Sequence, residues 1–151
     1  MRIYWISFVL SCWSLCALSA SGDEEPQKPK TPSKKAIKDI SAVEAYDYLS
    51  TDSRARDKVV VLDIRTAKEF ASGHIRGAKN LNFLAEDFKE KLGKLDRDRL
   101  YVMHCQSGGR SGRAKAVFRE LGFKRVLHIQ DGYRAWASAG FPVEKGASKK
   151  E

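Results

Sequence analysis

The sequence predicts an α/β domain with a mainly parallel central sheet flanked by helices, on three observations. Short apolar, β-branched runs recur at Val59-Val60-Val61-Leu62, Leu100-Tyr101-Val102-Met103 and Val126-Leu127-His128-Ile129; such runs suit strands buried on both faces. Segments with helical apolar spacing separate them, and strand–helix alternation is the pattern of a parallel sheet. The 151-residue chain has room for one ordinary domain, large enough to fold without disulfides.

The first segment stands apart. Met1 and Arg2 give a positive start, Ile3 to Leu18 is apolar apart from Ser and Cys, and Ser19, Ala20 and Ser21 are small. That layout predicts a secretory signal peptide over residues 1–20, cleaved near Ala20 or Ser21, and hence a periplasmic or secreted protein with no stable membrane span after cleavage. The alternatives are an uncleaved anchor, for which the run is short, and a lipoprotein, because Val9-Leu10-Ser11-Cys12 loosely fits a lipid-attachment box. Residues 21–36 follow as a flexible linker: Gly22 to Lys35 carries three prolines among polar residues and cannot offset its ordering entropy by burial.

The folded domain is expected over residues 37–145, with structure beginning near Ile40 and residues 146–151 as a tail. Ser41 and Glu44 have capping-box spacing, and Ala42, Ala45, Tyr46 and Leu49 form a helical stripe ending near Ser50. The Val59–Leu62 run leads into Asp63-Ile64-Arg65, a helical turn through Lys68, Glu69 and Phe70, and a loop Gly73-His74-Ile75-Arg76-Gly77-Ala78. Ala85, Phe88, Leu92 and Leu95 mark an amphipathic helix weakened by Gly93. After the Leu100–Met103 run, Ala114, Val117, Phe118 and Leu121 share one helical face, and Gly122 is placed to end it. The third run leads to a helix through Ala135 and Trp136 that stops near Gly140 and Pro142; Trp136 and Phe141 are expected to pack it against the sheet.

Lys and Arg number 28 against 19 Asp and Glu, a net charge of +9, so anions should be attracted. The basic residues are scattered and several lie in the predicted tails, which with export argues against nucleic acid as a partner. Loss of the signal removes Cys12 and Cys16 and leaves Cys105 as the only thiol. That count excludes an internal disulfide and a paired-cysteine zinc site.

Cys105-Gln106-Ser107-Gly108-Gly109-Arg110-Ser111 joins a strand end to a helix start, where ligands gather in open α/β sheets. Gly108 and Gly109 can turn successive N–H groups inward as a nest around the Cys105 sulfur. Those amides, the positive end of a helix beginning near Ser111 and the Arg110 guanidinium all favour a thiolate, lowering the thiol pKa. The same cradle, with Arg110 forking two oxygens, would bind an oxyanion. The plainer alternative is a packed cysteine beside a tight turn.

At these residues the chain resembles the rhodanese family, from about Ile40 to Val143. Leu62-Asp63-Ile64-Arg65 with Glu69-Phe70 and Gly73 to Ala78 is similar to the motif after the family's first core strand, with Arg76 where proline is usual. Cys105 to Ser111 resembles its active-site loop. Gly132-Tyr133-Arg134-Ala135-Trp136 through Ala139-Gly140-Phe141-Pro142-Val143 resembles its closing motif, with Asp131 in place of the first glycine of a usual pair.

The resemblance implies a three-layer rhodanese-like fold and thiosulfate sulfurtransferase activity without metal or organic cofactor. Cys105 would carry sulfane sulfur as a persulfide from a small anionic donor such as thiosulfate to a thiophilic acceptor, cyanide or a thiol. Gln106, Ser107, Gly108, Gly109, Arg110 and Ser111 would bind the substrate. Phosphatases and arsenate reductases of this fold have one more residue between cysteine and arginine; here four intervene. Other readings are a binding module or slow persulfide carrier whose acceptor is an unidentified protein, and a redox sensor, which lacks a resolving cysteine.

Asp63, Arg65 and Glu69 are expected to be scaffold, Asp63 satisfying loop amides and Arg65 pairing with Glu69 at helical spacing. Neither His74 nor His104 is expected to act as general base, His104 because strand alternation turns it away from Cys105 and because a low-pKa thiolate needs none.

Overall fold

A computed structural model of the chain describes residues 36–51 and 59–146. The expected signal peptide and nearly all of the linker, and all but the first residue of the tail, lie outside them. No helix among the described residues is long and apolar enough to cross a membrane.

Five strands form one parallel sheet: β1 (Ala36–Ile40), β2 (Val59–Asp63), β4 (Lys79–Asn80), β5 (Leu100–His104) and β6 (Arg125–Ile129), in the order β1-β6-β5-β2-β4. A separate antiparallel pair joins β3 (His74–Ile75) to β7 (Val143–Glu144). The helices are α1 (Ala42–Thr51), α2 (Ala67–Ser72), α3 (Phe88–Gly93), α4 (Gly109–Glu120) and α5 (Gly132–Ser138).

Alternation along the strands sends side chains into two apolar layers. Val61, Leu100, Val102, Leu127 and Ile129 pack with Ala42 and Ala45 of α1, Phe70 of α2 and Trp136 of α5. Val60, Leu62, Tyr101, Met103 and Val126 pack on the other face with Phe88 and Leu92 of α3 and Ala114 and Phe118 of α4. The molecule is therefore the expected helix–sheet–helix sandwich, and the three central strands, buried on both faces, are those with continuous apolar runs. Tyr46 stacks on Phe141 at 4.2 Å, and both meet Trp136 edge-on.

The structure differs from the sequence expectations at the margins. The first described element, β1, already runs through Ala36–Ile40, ahead of the start expected near Ile40, because an edge strand pairs on one side only and tolerates Lys38 and Asp39. The strands β3, β4 and β7 are two residues each, too short for any periodicity to reveal. The Ala85–Leu95 stripe is helical only over Phe88–Gly93, and α4 starts at Gly109, two residues before Ser111.

Candidate active site

Strand β5 ends at His104, which leaves Cys105 at the carboxyl edge of the sheet with 1% of its surface exposed. The next residues loop over it before α4 begins. Gly108 makes the turn at φ +85°, and a Cβ there would collide with the carbonyl of Gln130. Gly109 already lies in the helix and has no positive φ, so one glycine makes the turn, not two.

The loop is clamped from the other side by the start of α5. Tyr133 N donates to the Cys105 carbonyl at 2.8 Å and Arg134 N to that of Gln106 at 3.0 Å. This approach requires Gly132, at φ +71°, because a Cβ would sit 2.7 Å from the backbone of Gln106 and Ser107. Asp131, in the family's glycine place, has φ −92°, which any residue adopts, and its Oδ2 accepts from Ala42 N at 3.3 Å.

The Cys105 sulfur collects donors. Burial pushes its pKa up, but the Ser111 hydroxyl and the backbone N–H groups of Ser111, Ser107 and Arg110 outweigh it and hold the thiol below its ordinary range. Ser111 Oγ lies 3.3 Å from Sγ. The amide cradle foreseen around the sulfur is present, supplied by Ser107, Arg110 and Ser111 and folded by Gly108.

The charged residues pair differently from the helical-spacing expectation. Glu69 does not meet Arg65; it forks onto Arg110, with Nη1 at 2.7 Å and Nη2 at 2.5 Å. Thr66 explains why. It caps α2 in a reciprocal box with Glu69, so Arg65 precedes the helix and i,i+4 geometry does not apply to it. Glu69 is drawn back over the helix start, toward the loop, and its pKa falls to about 2, chiefly through Arg110. Arg110 is raised in turn, first by Glu69 and to a lesser degree by Cys105.

Arg65 is 2% exposed and pairs with Asp63 at 2.6 Å. Its remaining donors go to Gln106 Oε1 at 3.0 Å and the Gly73 carbonyl at 2.6 Å, and its guanidinium lies 4.0 Å from the Tyr133 ring centroid. One buried cation thus ties the ends of β2 and α2 to the cysteine loop and α5. Asp63 accepts from Arg65 N at 2.9 Å, the loop-amide role expected of it. Gln106, a predicted substrate binder, has its side chain engaged by Arg65, while Ser107 and Gly109 are exposed.

His74 stacks on Phe70 at 3.7 Å, with Nδ1 3.0 Å from the Phe70 carbonyl. His104 is fully buried beside Asp63 and Tyr133, and burial lowers its pKa. His104 Nδ1 lies 3.2 Å from the Cys105 carbonyl, and the histidine that reaches the Ser111 hydroxyl is His128 of β6, whose Nε2 lies 2.8 Å from Ser111 Oγ. Sequence reasoning passed over it. The available signal was its position in an otherwise apolar strand; β6 pairs with β5, opposing His128 to Met103, two residues before Cys105.

A model of the rhodanese-like domain matches residues 44–139. The chain is 31% identical over 134 residues to the mitochondrial protein HIGH ARSENIC CONTENT 1 of Arabidopsis thaliana, covering 80% of this chain and 73% of that one. It is 34% identical over 118 residues to the chloroplastic thiosulfate sulfurtransferase 16 of the same plant, covering 70% and 91%. A crystal structure of a rhodanese-related protein from Thermoplasma volcanium superposes with a TM-score of 0.59 at 27% identity, covering 72% of this chain and 98% of that one.

Proposed function

The chain belongs to the rhodanese-like domain family, and from that membership we propose that it is a thiosulfate sulfurtransferase that carries sulfane sulfur on Cys105. One observation carries the reading: the one thiol among the described residues, buried, receives the Ser111 hydroxyl and three backbone N–H groups and is held below the ordinary thiol pKa despite its burial. A packed, inert cysteine has no use for such donors, whereas a nucleophile needs its thiolate.

In the first step the Cys105 thiolate attacks the outer sulfur of thiosulfate. A new S–S bond forms, the donor's S–S bond breaks, and sulfite leaves with the electron pair. The cradle donors stabilise the negative charge on the entering thiolate and on the persulfide. In the second step the acceptor attacks the terminal persulfide sulfur and the Cys105 thiolate departs. With cyanide the product is thiocyanate; with a thiol it is a new persulfide. Neither step calls for a cofactor. The short span from Cys105 to Arg110 supports sulfur over a tetrahedral oxyanion as the moiety bound, and so weighs against arsenate or phosphate chemistry.

A second reading draws on the Glu69–Arg110 fork, which neutralises the loop's guanidinium. A site so balanced suits a persulfide carrier that exchanges sulfur with a protein partner more than one that captures small anions. Steady-state thiocyanate formation by the wild type and by Cys105→Ser separates the cases. Many turnovers, abolished by the substitution, are expected for the enzyme; one sulfur per chain followed by a stall favours the carrier. Export through residues 1–20 belongs to the same proposal, and sequencing the amino terminus of the secreted or periplasmic protein tests it.

A further inference from the structure

Ser111 is completely buried, and its hydroxyl has three polar neighbours: Cys105 Sγ at 3.3 Å, the Gly108 carbonyl at 3.1 Å and His128 Nε2 at 2.8 Å. His128 is 3% exposed, and its other ring nitrogen lies 2.8 Å from Asp39 Oδ1 on β1. Lys115 of α4 holds the same carboxylate at 2.9 and 3.0 Å. An unbroken line of contacts therefore runs from the sulfur to the molecular surface. Burying a serine–histidine pair at the edge of an apolar layer costs desolvation, and the sulfur-transfer steps above use the Ser111 hydroxyl but make no use of His128.

Counting donors and acceptors fixes the protons. Asp39 is held below the usual carboxylate range by hydrogen bonds from His128 and Lys115; as a carboxylate it only accepts, so His128 Nδ1 carries a proton. In the neutral imidazole Nε2 is then an acceptor, and at 2.8 Å it takes the single Ser111 proton over the Gly108 carbonyl at 3.1 Å. Ser111 turns a lone pair to the sulfur, where a thiol S–H can donate. In the imidazolium, Nε2–H donates to Ser111 Oγ and the hydroxyl proton turns to the sulfur, where a thiolate accepts it. The two arrangements differ by two proton shifts along one line.

We propose that Cys105, Ser111, His128 and Asp39 form a proton relay, in which His128, aimed by Asp39, is a positioning residue that takes up the thiol proton through Ser111 and returns it when the thiol re-forms. The S–H bond leaves its electron pair on sulfur and its proton joins Ser111 Oγ. The former Ser111 proton passes to the Nε2 lone pair. A neutral thiol and a neutral imidazole become a thiolate and an imidazolium, and no proton enters or leaves the protein. The charged and titratable groups facing His128 are Asp39 from β1, Lys115 from α4 across that carboxylate, and Cys105 through Ser111 at the end of β5.

The relay rests on Cys105 as the sulfur carrier but is tested by titration, not turnover, so its failure would leave that assignment standing. The full chain has three histidines, and His128→Gln assigns the His128 imidazole proton signal. Linkage requires the thiol and the imidazole to shift each other equally. In Cys105→Ser the imidazole midpoint is expected to fall by about 1 pH unit, as for loss of a nearby opposite charge, and Ser111→Ala is expected to lower it as well. The midpoint for Cys105 alkylation should rise in His128→Gln by a similar amount. An imidazole midpoint unmoved or raised in Cys105→Ser, or an alkylation profile unmoved in a folded His128→Gln, overturns the relay. Persulfide loading scored on the same samples reports on the sulfurtransferase separately.

Discussion

Glu69 and Arg110 lie forty-one residues apart in sequence and meet as a two-pronged ion pair, with Nη1 at 2.7 Å and Nη2 at 2.5 Å from the two carboxylate oxygens. The pair joins the first helical turn after β2 to the first turn of α4, directly behind the loop that carries the cysteine, and it neutralises the guanidinium there. Because Glu69 also closes the Thr66 capping box, a single carboxylate fixes both the start of α2 and the position of Arg110.

The pair makes stability depend on acidity in a defined window. Glu69 is drawn from 4.5 to about 2 in the folded protein, and a depressed carboxylate contributes stability above its unfolded pKa that is lost as pH falls through the folded value. Urea midpoints of the wild type are therefore expected to decline between about pH 4.5 and pH 2 more steeply than those of Glu69→Gln, which should start lower at pH 7. Parallel curves for the two proteins would show that the pair does not contribute.

Arg65→Met should be among the most damaging single changes, because it leaves Asp63 as an uncompensated buried charge beside the loop. Removal of one partner from a buried pair costs about 3–5 kcal/mol, measurable by denaturant unfolding. Arg65→Lys should restore little, since one ammonium cannot span Asp63, Gln106 and Gly73 as the fork does. Full stability in either variant would contradict the stapling role.

Three glycines with positive φ separate backbone strain from crowding. Gly122, at φ +78°, has open space around it, so Gly122→Ala should cost about 1–2 kcal/mol, the penalty of the left-handed conformation alone, and leave Cys105 reactivity intact. Gly108→Ala and Gly132→Ala carry that penalty and also drive a methyl into the backbone of the cysteine loop or of its neighbour. Both should slow Cys105 alkylation as well as lower Tm. Equal behaviour of all three would mean that the close approaches around the loop are relaxed in solution.

The thiol prediction has a fixed sign. Cys105 is held below its ordinary pKa, so its alkylation rate should rise with pH through a midpoint below that of an unperturbed thiol. Ser111→Ala removes the hydroxyl donor and should move that midpoint up, while the remaining N–H donors keep part of the effect.

What the sequence made legible follows from which features local pattern records. The buried strands β2, β5 and β6 announced themselves as apolar runs, and α4 as a stripe through Ala114, Val117, Phe118 and Leu121. Cys105 and its loop stood out because Gly108 and Arg110 serve a turn and a charge that packing does not require. Edge strand β1 was hidden by its own Lys38 and Asp39, the latter engaged with His128 and Lys115. The Glu69–Arg110 pair and the reach of Arg65 to Gln106 and Gly73 depend on how β2, α2 and the loop converge in space, which residue spacing does not encode. His128 was concealed for the same reason, since its partners Ser111 and Asp39 come from two other elements.

The most direct test of the central claim is the mass of the protein after incubation with thiosulfate, wild type beside Cys105→Ser. The account predicts a gain of one sulfur atom in the wild type, removed by added cyanide with release of thiocyanate, and no gain in Cys105→Ser. A wild-type protein that takes up no sulfur from thiosulfate or from other persulfide donors, or a Cys105→Ser variant that takes it up equally, would contradict the assignment of Cys105 as the sulfur carrier.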